Sequence, residues 1–443
     1  MSILKMVAEG KITAEEAESL LRTLDAPDES QQVSEEQSPS EGERESFVEL
    51  LKAGSESLKD QGGPSRDFSR VLRKSARDRK RGARRHRDRN HRACYEEPRA
   101  QVQLETGEKF DLEIDNRHGD IEVRSWARNS LQIDYQISVW AKDEETAKEI
   151  ASEIEIRIEP DKDASGRATR ALITTNYPEE WELWRNSGSR ARVDYWLAVP
   201  QQTNLELDNR HGNVSVHDSR GTTSIGNRHG NVSLGAIGGD LNLDAHHGNV
   251  EADSIQGNVC FNGGHGNAEL GKVGGSFEGD YRHGNLELDE LGGDLTLKHR
   301  HGDAVVHSVG GVILVDKNHG RIALKGVRDT FHIDGKHADT HLDVVSPLSG
   351  DCVIKGRHAK VDLIAPADAF ASIQASTHRG SISSEFEGDL TKGKRGQQFT
   401  ASLSENGANL QVTNHHGRID LRCHGVVASE DTHEVDRTIE QSV

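Results

Sequence analysis

Apolar residues recur in this chain with two short beats inside a longer one. Counted from a His-Gly pair, offsets three and five are apolar (Val214 and Val216, Val232 and Leu234, Leu286 and Leu288, Ile322 and Leu324). Offset eight repeats the character (Ile237, Ile255, Val273, Leu291, Val309), as do offsets twelve and fourteen (Leu241 and Leu243, Val259 and Phe261, Leu295 and Leu297, Ile313 and Val315). Each apolar-polar-apolar run has the alternation of a short strand with one face inward, and helical spacing is absent. The frame is set by His211-Gly212, His229-Gly230, His247-Gly248, His265-Gly266, His283-Gly284, His301-Gly302 and His319-Gly320, 18 residues apart, with a degraded His337-Ala338 one step on. A unit this short cannot bury its apolar face alone, so each must be one coil of a stack. The His-Gly pairs, and Gly238-Gly239, Gly274-Gly275, Gly292-Gly293 and Gly310-Gly311 opposite them, suit sharp corners. The predicted fold is mainly β: a single-stranded β-solenoid of 18-residue coils. Coils stacked about 4.8 Å apart carry His211 to His337 over roughly 34 Å.

The array loosens at both ends. After His337 the steps lengthen to 21 and 20 residues, to His358 and His378, and a last copy, Asn414-His415-His416-Gly417, follows a Gly- and Lys-rich loop at 388–396. Upstream, Asp115-Asn116-Arg117-His118-Gly119 stands 93 residues before its counterpart at His211. That gap holds strand-like runs at 131–140, 153–159, 169–176 and 190–199, a helix-like stretch from Glu144 to Ser152, and all five tryptophans. It predicts a small α+β insertion that caps the solenoid, with the first coil and cap at 101–200, repeats at 201–425 and a disordered tail at 426–443. A ligand pocket under Trp181, Trp184 and Trp196 is the alternative use.

The first hundred residues differ in kind. Residues 1–25 read as a helical hairpin around Gly10-Lys11: Ile3, Leu4 and Val7 share a face, Thr13 and Glu16 form a capping box, and Leu20, Leu21 and Leu24 continue the stripe. Such a hairpin is too small to stand alone and calls for a protein partner, another copy of this chain included. Residues 26–100 read as a disordered charged linker, Glu- and Ser-rich at first, then Arg-rich over 66–92. Within 66–92, 13 Lys or Arg face three Asp, a net of +10, so the rest of the chain carries −19 − 10 = −29.

Nothing reads as a secretory signal or a bilayer span, and the four cysteines (Cys94, Cys260, Cys352, Cys423) show no CxxC spacing. The expectation is a cytoplasmic protein, with peripheral membrane association as its other placement.

Two stretches resemble known families. Ile3-Leu4-Lys5-Met6-Val7-Ala8-Glu9-Gly10-Lys11-Ile12-Thr13-Ala14-Glu15-Glu16-Ala17 closely resembles the short helical domain that opens the LiaX-like and YvlB-like bacterial envelope-stress proteins. The strand repeats, preceded by Arg192-Val193-Asp194-Tyr195-Trp196-Leu197-Ala198-Val199-Pro200, look like the "putative adhesin" β-strand-repeat family. Together the resemblance covers residues 1–24 and about 101–425. It implies a non-enzymatic bacterial protein linked to envelope stress, with surface adhesion as the alternative, and it transfers no catalytic residue and no cofactor. The regularity of the histidine and the Arg-rich segment depart from that pattern.

The histidines His229, His247, His265, His283 and His301 have three readings: turn residues, a pH-responsive or anion-binding stripe, or a row of metal ligands. Zinc sites need three or four ligands converging on one point, whereas a ladder sets imidazoles side by side, and the neighbouring Arg210, Arg228, Arg282 and Arg300 repel cations. A polysaccharide-acting enzyme needs carboxylates meeting in a groove, whereas Asp244, Asp280, Asp316 and Asp334 recur as a ladder of their own. Arg73, Lys74, Arg77, Arg79, Lys80, Arg81, Arg84, Arg85 and Arg87 are expected to contact an anionic membrane surface or nucleic acid, with a solvated tether or docking on the acidic body of the same chain as the alternatives.

Overall fold

The computed structural model describes residues 93–348, 350–404 and 407–424. The hairpin at 1–25, the Arg-rich segment and the tail at 426–443 lie outside the described residues. Contacts divide the chain into Met1–Asn90 and His91–Val443; the second unit is a β-solenoid.

Each central coil contributes one strand to each of two parallel sheets. Strands leading into the His-Gly corner, such as β10 (Thr223–His229), β12 (Leu241–His247) and β14 (Val259–His265), form the first sheet. Strands leaving it, such as β11 (Val232–Ile237), β13 (Val250–Ile255) and β15 (Ala268–Val273), form the second. Ile225 pairs with Leu243 and Leu243 with Phe261, while Val232 pairs with Val250 and Val250 with Ala268. Every apolar offset therefore stacks on its own kind, and these inward side chains are almost wholly buried. Register is held because a slip of one residue would turn each strand's apolar set outward.

The ends are built differently. The insertion comprises β4 (Ser130–Ala141), α1 (Glu144–Glu153), β5 (Glu155–Lys162), β6 (Ala168–Asn176), α2 (Trp181–Asn186) and β7 (Arg190–Pro200). β6 and β7 make the outermost coil, lying outside the earlier coil of β2 (Ala100–Asn116) and β3 (Ile121–Trp126). Leu112 of β2 thus sits between Ala171 of β6 and Leu205 of β8 (Gln202–Asn209), and Val123 of β3 between Leu197 of β7 and Val216 of β9 (Val214–Ser219). The C-terminal end repeats the device. The last segment, β29 (Ala408–His416) and β30 (Ile419–Cys423), inserts between β23 (Cys352–Arg357) with β24 (Val361–Ala365) and the terminal coil of β25 (Phe370–Arg379) with β26 (Ile382–Ser384).

This order corrects two expectations. The coil after His358 carries His416 instead of His378, because β29 wins the place beside β23. The linker expected to run to residue 100 gives way earlier, at β1 (Ala93–Glu96), which pairs antiparallel with β4 and leaves Tyr95 partly buried against the core. Antiparallel strands finish three of the edges, β4 on β7, β5 on β6, and β28 (Gly396–Ser402) on β25 with β27 (Asp389–Gly393) beyond it, whereas β26 at the end of the second sheet pairs in parallel with β30. Such covering protects open backbone groups from pairing with other chains.

Candidate functional site: a stacked histidine edge

The corner after each first-sheet strand is set by glycine. Gly230 and Gly248 take φ of 140° and 143°, and a Cβ on either would collide with the carbonyl oxygen of the glycine one coil earlier. Only glycine meets both demands. Where alanine stands instead, at Ala338 and Ala359, the left-handed conformation moves one residue upstream onto His337 (φ 55°) and His358 (φ 58°).

The preceding histidines stack into one column. His118, His211, His229, His247, His265, His283, His301, His319, His337, His358 and His416 succeed each other with ring centroids 4.4–5.2 Å apart and planes within 12° of parallel. The five histidines singled out by period all belong to it, and sequence distance hid how far it extends at either end. At its N-terminal end His118 meets Tyr177 edge-on at 5.7 Å and Trp181 at 6.2 Å. Burial, then His211 and nearby arginines, holds the His118 imidazole down to about 4. His211, His229, His283 and His416 also lie below the usual histidine value, through desolvation first and then the adjacent histidines and arginines.

Two further columns fix this edge. Behind the histidines, Asn213, Asn231, Asn249, Asn267 and Asn285 each accept, through Oδ1, the backbone N–H of the next coil's equivalent residue at 2.9–3.0 Å. The regular asparagine after His-Gly was the signal for this ladder. Inside the corner, Asn209 donates to Gly119 O, Asn227 to Gly212 O, Tyr281 to Gly266 O and Asn414 to Ala359 O. In two coils a titratable pair takes this place. Wholly buried Lys317 donates to Gly302 O at 2.6 Å and to His299 Nδ1 at 3.0 Å, while His299 Nε2 faces Gly284 O and His301 O. Burial lowers Lys317 to about 8; burial, then the Lys317 charge, lowers His299 to about 4.

Outside the column the residue before each histidine is mostly cationic: Arg117, Arg210, Arg228, Arg282, Arg300, Lys336 and Arg357. The carboxylates Asp244, Asp280, Asp316 and Asp334 lie two strand positions away in one registered row, interrupted by Asn262 and Lys298. They do not converge. The histidine planes lie within 3–4° of each other from His211 to His319, so ring nitrogens run side by side and no closed metal cage forms among them. A mixed donor group that the period did not reveal lies on the second sheet, where ligand atoms of Glu287, Asp289 and His307 fall within 4.8 Å of one another. Of the tryptophans, Trp181 closes the histidine column, whereas Trp196 on β7 carries the Arg99 guanidinium 4.1 Å from its ring centroid. Arg73, Lys74, Arg77, Arg79, Lys80, Arg81, Arg84, Arg85 and Arg87 lie outside the described residues. All four cysteines are free, and no described helix is long and apolar enough to cross a membrane.

Residues 1–29 match the SHOCT-like domain family. No curated protein matches the chain. Among solved structures, a "putative cell adhesion protein" from Clostridium sporogenes is similar at 10% identity and a TM-score of 0.16, over 75% of this chain and 100% of that one. A "putative adhesin" from Parabacteroides distasonis shows 7% identity and a TM-score of 0.26, over 73% and 97% of the two chains. One from Bacteroides fragilis shows 11% identity and a TM-score of 0.20, also over 73% and 97%.

Proposed function

We propose that the chain is a non-enzymatic recognition scaffold, which binds an extended macromolecular partner along the outer faces of its solenoid and meets a second, protein partner through residues 1–25. The observation that carries this reading is the unbroken histidine column, a repeated edge that grows by one ring per coil beside a row that is cationic in most coils. Repeated surfaces of this kind gain affinity from many weak, equivalent contacts. The Arg-rich segment is a second, electrostatic contact for an anionic surface.

Two settings fit such a scaffold: envelope-stress sensing from inside the cell, and adhesion from its surface. Fractionating native cells into cytosol, membrane and medium, with and without envelope-active peptides, separates them. Recruitment from cytosol to membrane under stress supports the first, and a constitutive surface fraction supports the second. Removal of whole 18-residue coils tests the scaffold itself. Binding to isolated envelopes should weaken stepwise with each coil removed; unchanged binding would refute recognition along the solenoid.

A further inference from the structure

The cationic edge ends in a feature that the repeat does not explain. Register places Arg379 opposite His416, so Arg379-Gly380 occupies the next rung of the His-Gly corner and His378 is displaced beside His415. The hairpin of β27 and β28 then folds back over this corner. Gly393 pairs with Gly396 across a two-residue tip, Lys394-Arg395, and Thr377 pairs with Gln397. Gly396 leaves no room for a side chain, since a Cβ there would strike the Thr377 carbonyl. The tip is thereby pressed onto the last rung.

Between them lies a cleft of ≈ 810 Å³ lined by His378, Arg379, Lys392, Lys394, Arg395 and Gln397, with glycine backbone completing the wall. Its lining contains five basic side chains and no carboxylate. None of the five is ion-paired to a carboxylate among the described residues, although Arg418 and Lys360 nearby are paired to Asp420. The nearest acid on the hairpin strand, Asp389, lies at its far end, opposite Thr400. In a chain of net charge −19, four permanent cations and a histidine, all exposed around one concavity with no carboxylate in it, make a locally positive patch whose members repel one another. An anionic ligand would offset that repulsion.

We propose that this cleft is a binding site for a multiply charged phosphate-class oxyanion, such as the end of a soluble linear phosphate chain. The stereochemistry selects the class. A planar carboxylate is satisfied by one bidentate arginine, whereas a tetrahedral group with two or more charges takes several cations approaching from different sides. Here Arg379 comes from β25, Lys392 from β27, and Lys394 and Arg395 from the tip.

Tripolyphosphate binding to the full chain provides the test, read by calorimetry and by lysine acetylation footprinting. Excess tripolyphosphate should protect Lys392 and Lys394 while leaving exposed Lys109 and Lys162 reactive. The triple variant Lys392→Gln, Lys394→Gln, Arg395→Gln, and separately Arg379→Gln, should keep the parent's circular dichroism. The triple variant should bind at this site at least about tenfold more weakly, since charge-assisted contacts are each worth ~1.5 kcal/mol or more. Protection confined to Lys74 and Lys80 would assign the anion to the Arg-rich segment and overturn the site. So would binding to phosphatidylglycerol–phosphatidylcholine vesicles without any to tripolyphosphate, which would mark a lipid surface instead. Unaltered affinity in the triple variant would overturn it as well.

Discussion

The middle and the ends of the solenoid solve the same problem in opposite ways. From β8 to β24, order along the chain is order in space, and each coil leans on the two that flank it in sequence. At both ends the order is inverted, so the first and last coils of the chain are clamped as next-to-outermost coils between others. A regular stack is a sum of near-equal neighbour terms and would fray from its tips. Interleaving removes that route, since β2 or β29 can leave only by breaking pairings on both sides. Regularity supplies the long surface, and the exchanged ends keep it from unravelling.

The largest effects should come from breaking this difference directly. Deleting residues 408–424 removes β29 and β30 together, so the terminal coil and its basic hairpin lose their parallel partners. That variant should unfold at its C-terminal end, seen as lost amide protection from Cys352 onward. Deleting the single residue Ala252 should be comparably damaging, because it throws alternate side chains to the wrong face. Deleting His247 to Gly264, one whole coil, should instead leave a cooperative thermal transition. Equal damage from the last two deletions, measured by melting curves, would contradict the neighbour-by-neighbour stack.

Next in size are the corners. Gly248→Ala meets both a positive φ and the Gly230 carbonyl, whereas Gly166→Ala meets a positive φ with nothing within 4 Å. The first should cost about 3 kcal/mol or more and the second about 1 kcal/mol, by denaturant unfolding. Asn249→Ala removes one acceptor from the ladder and should cost about 1 kcal/mol.

The smallest effects concern pH. Folding depresses Lys317, so the unfolded chain holds more protons between the folded value near 8 and the ordinary lysine value of 10.5. Stability from this group is therefore complete above that range and falls as pH drops through it. Lys317→Met should abolish the rise in melting temperature between pH 8 and 10. The histidines act likewise lower down: His118, depressed from 6.5 to about 4, contributes stability above pH 6.5 that is lost as pH falls through 4. Replacing His118 and His229 with Asn should move the acid midpoint to lower pH while leaving stability at pH 8 nearly unchanged. An unmoved midpoint would leave these rings as turn residues only.

The period made the middle legible. Ile237, Ile255, Val273 and Leu291 announce their own stacking because identical offsets meet at identical places, and the five central histidines follow from the same arithmetic. The insertion's strands and α1 were legible too, from alternation and from the helix-like stretch Glu144 to Ser152; the structure adds the Asp143 carboxylate that accepts the Thr146 N–H at the helix start.

By itself, then, the sequence determined the coil: its length, its two strands, its glycine corners and the side chains sharing each row, all set by contacts whose partners are one period away. Only the tertiary structure decided which coils stand at the ends, that His416 succeeds His358, and that Arg379 faces Lys392, Lys394 and Arg395 across a cleft. Those outcomes depend on competition between strands for an open sheet edge. That competition is resolved by the backbone groups and apolar faces left unpaired once the regular stack has formed, and no local pattern encodes it.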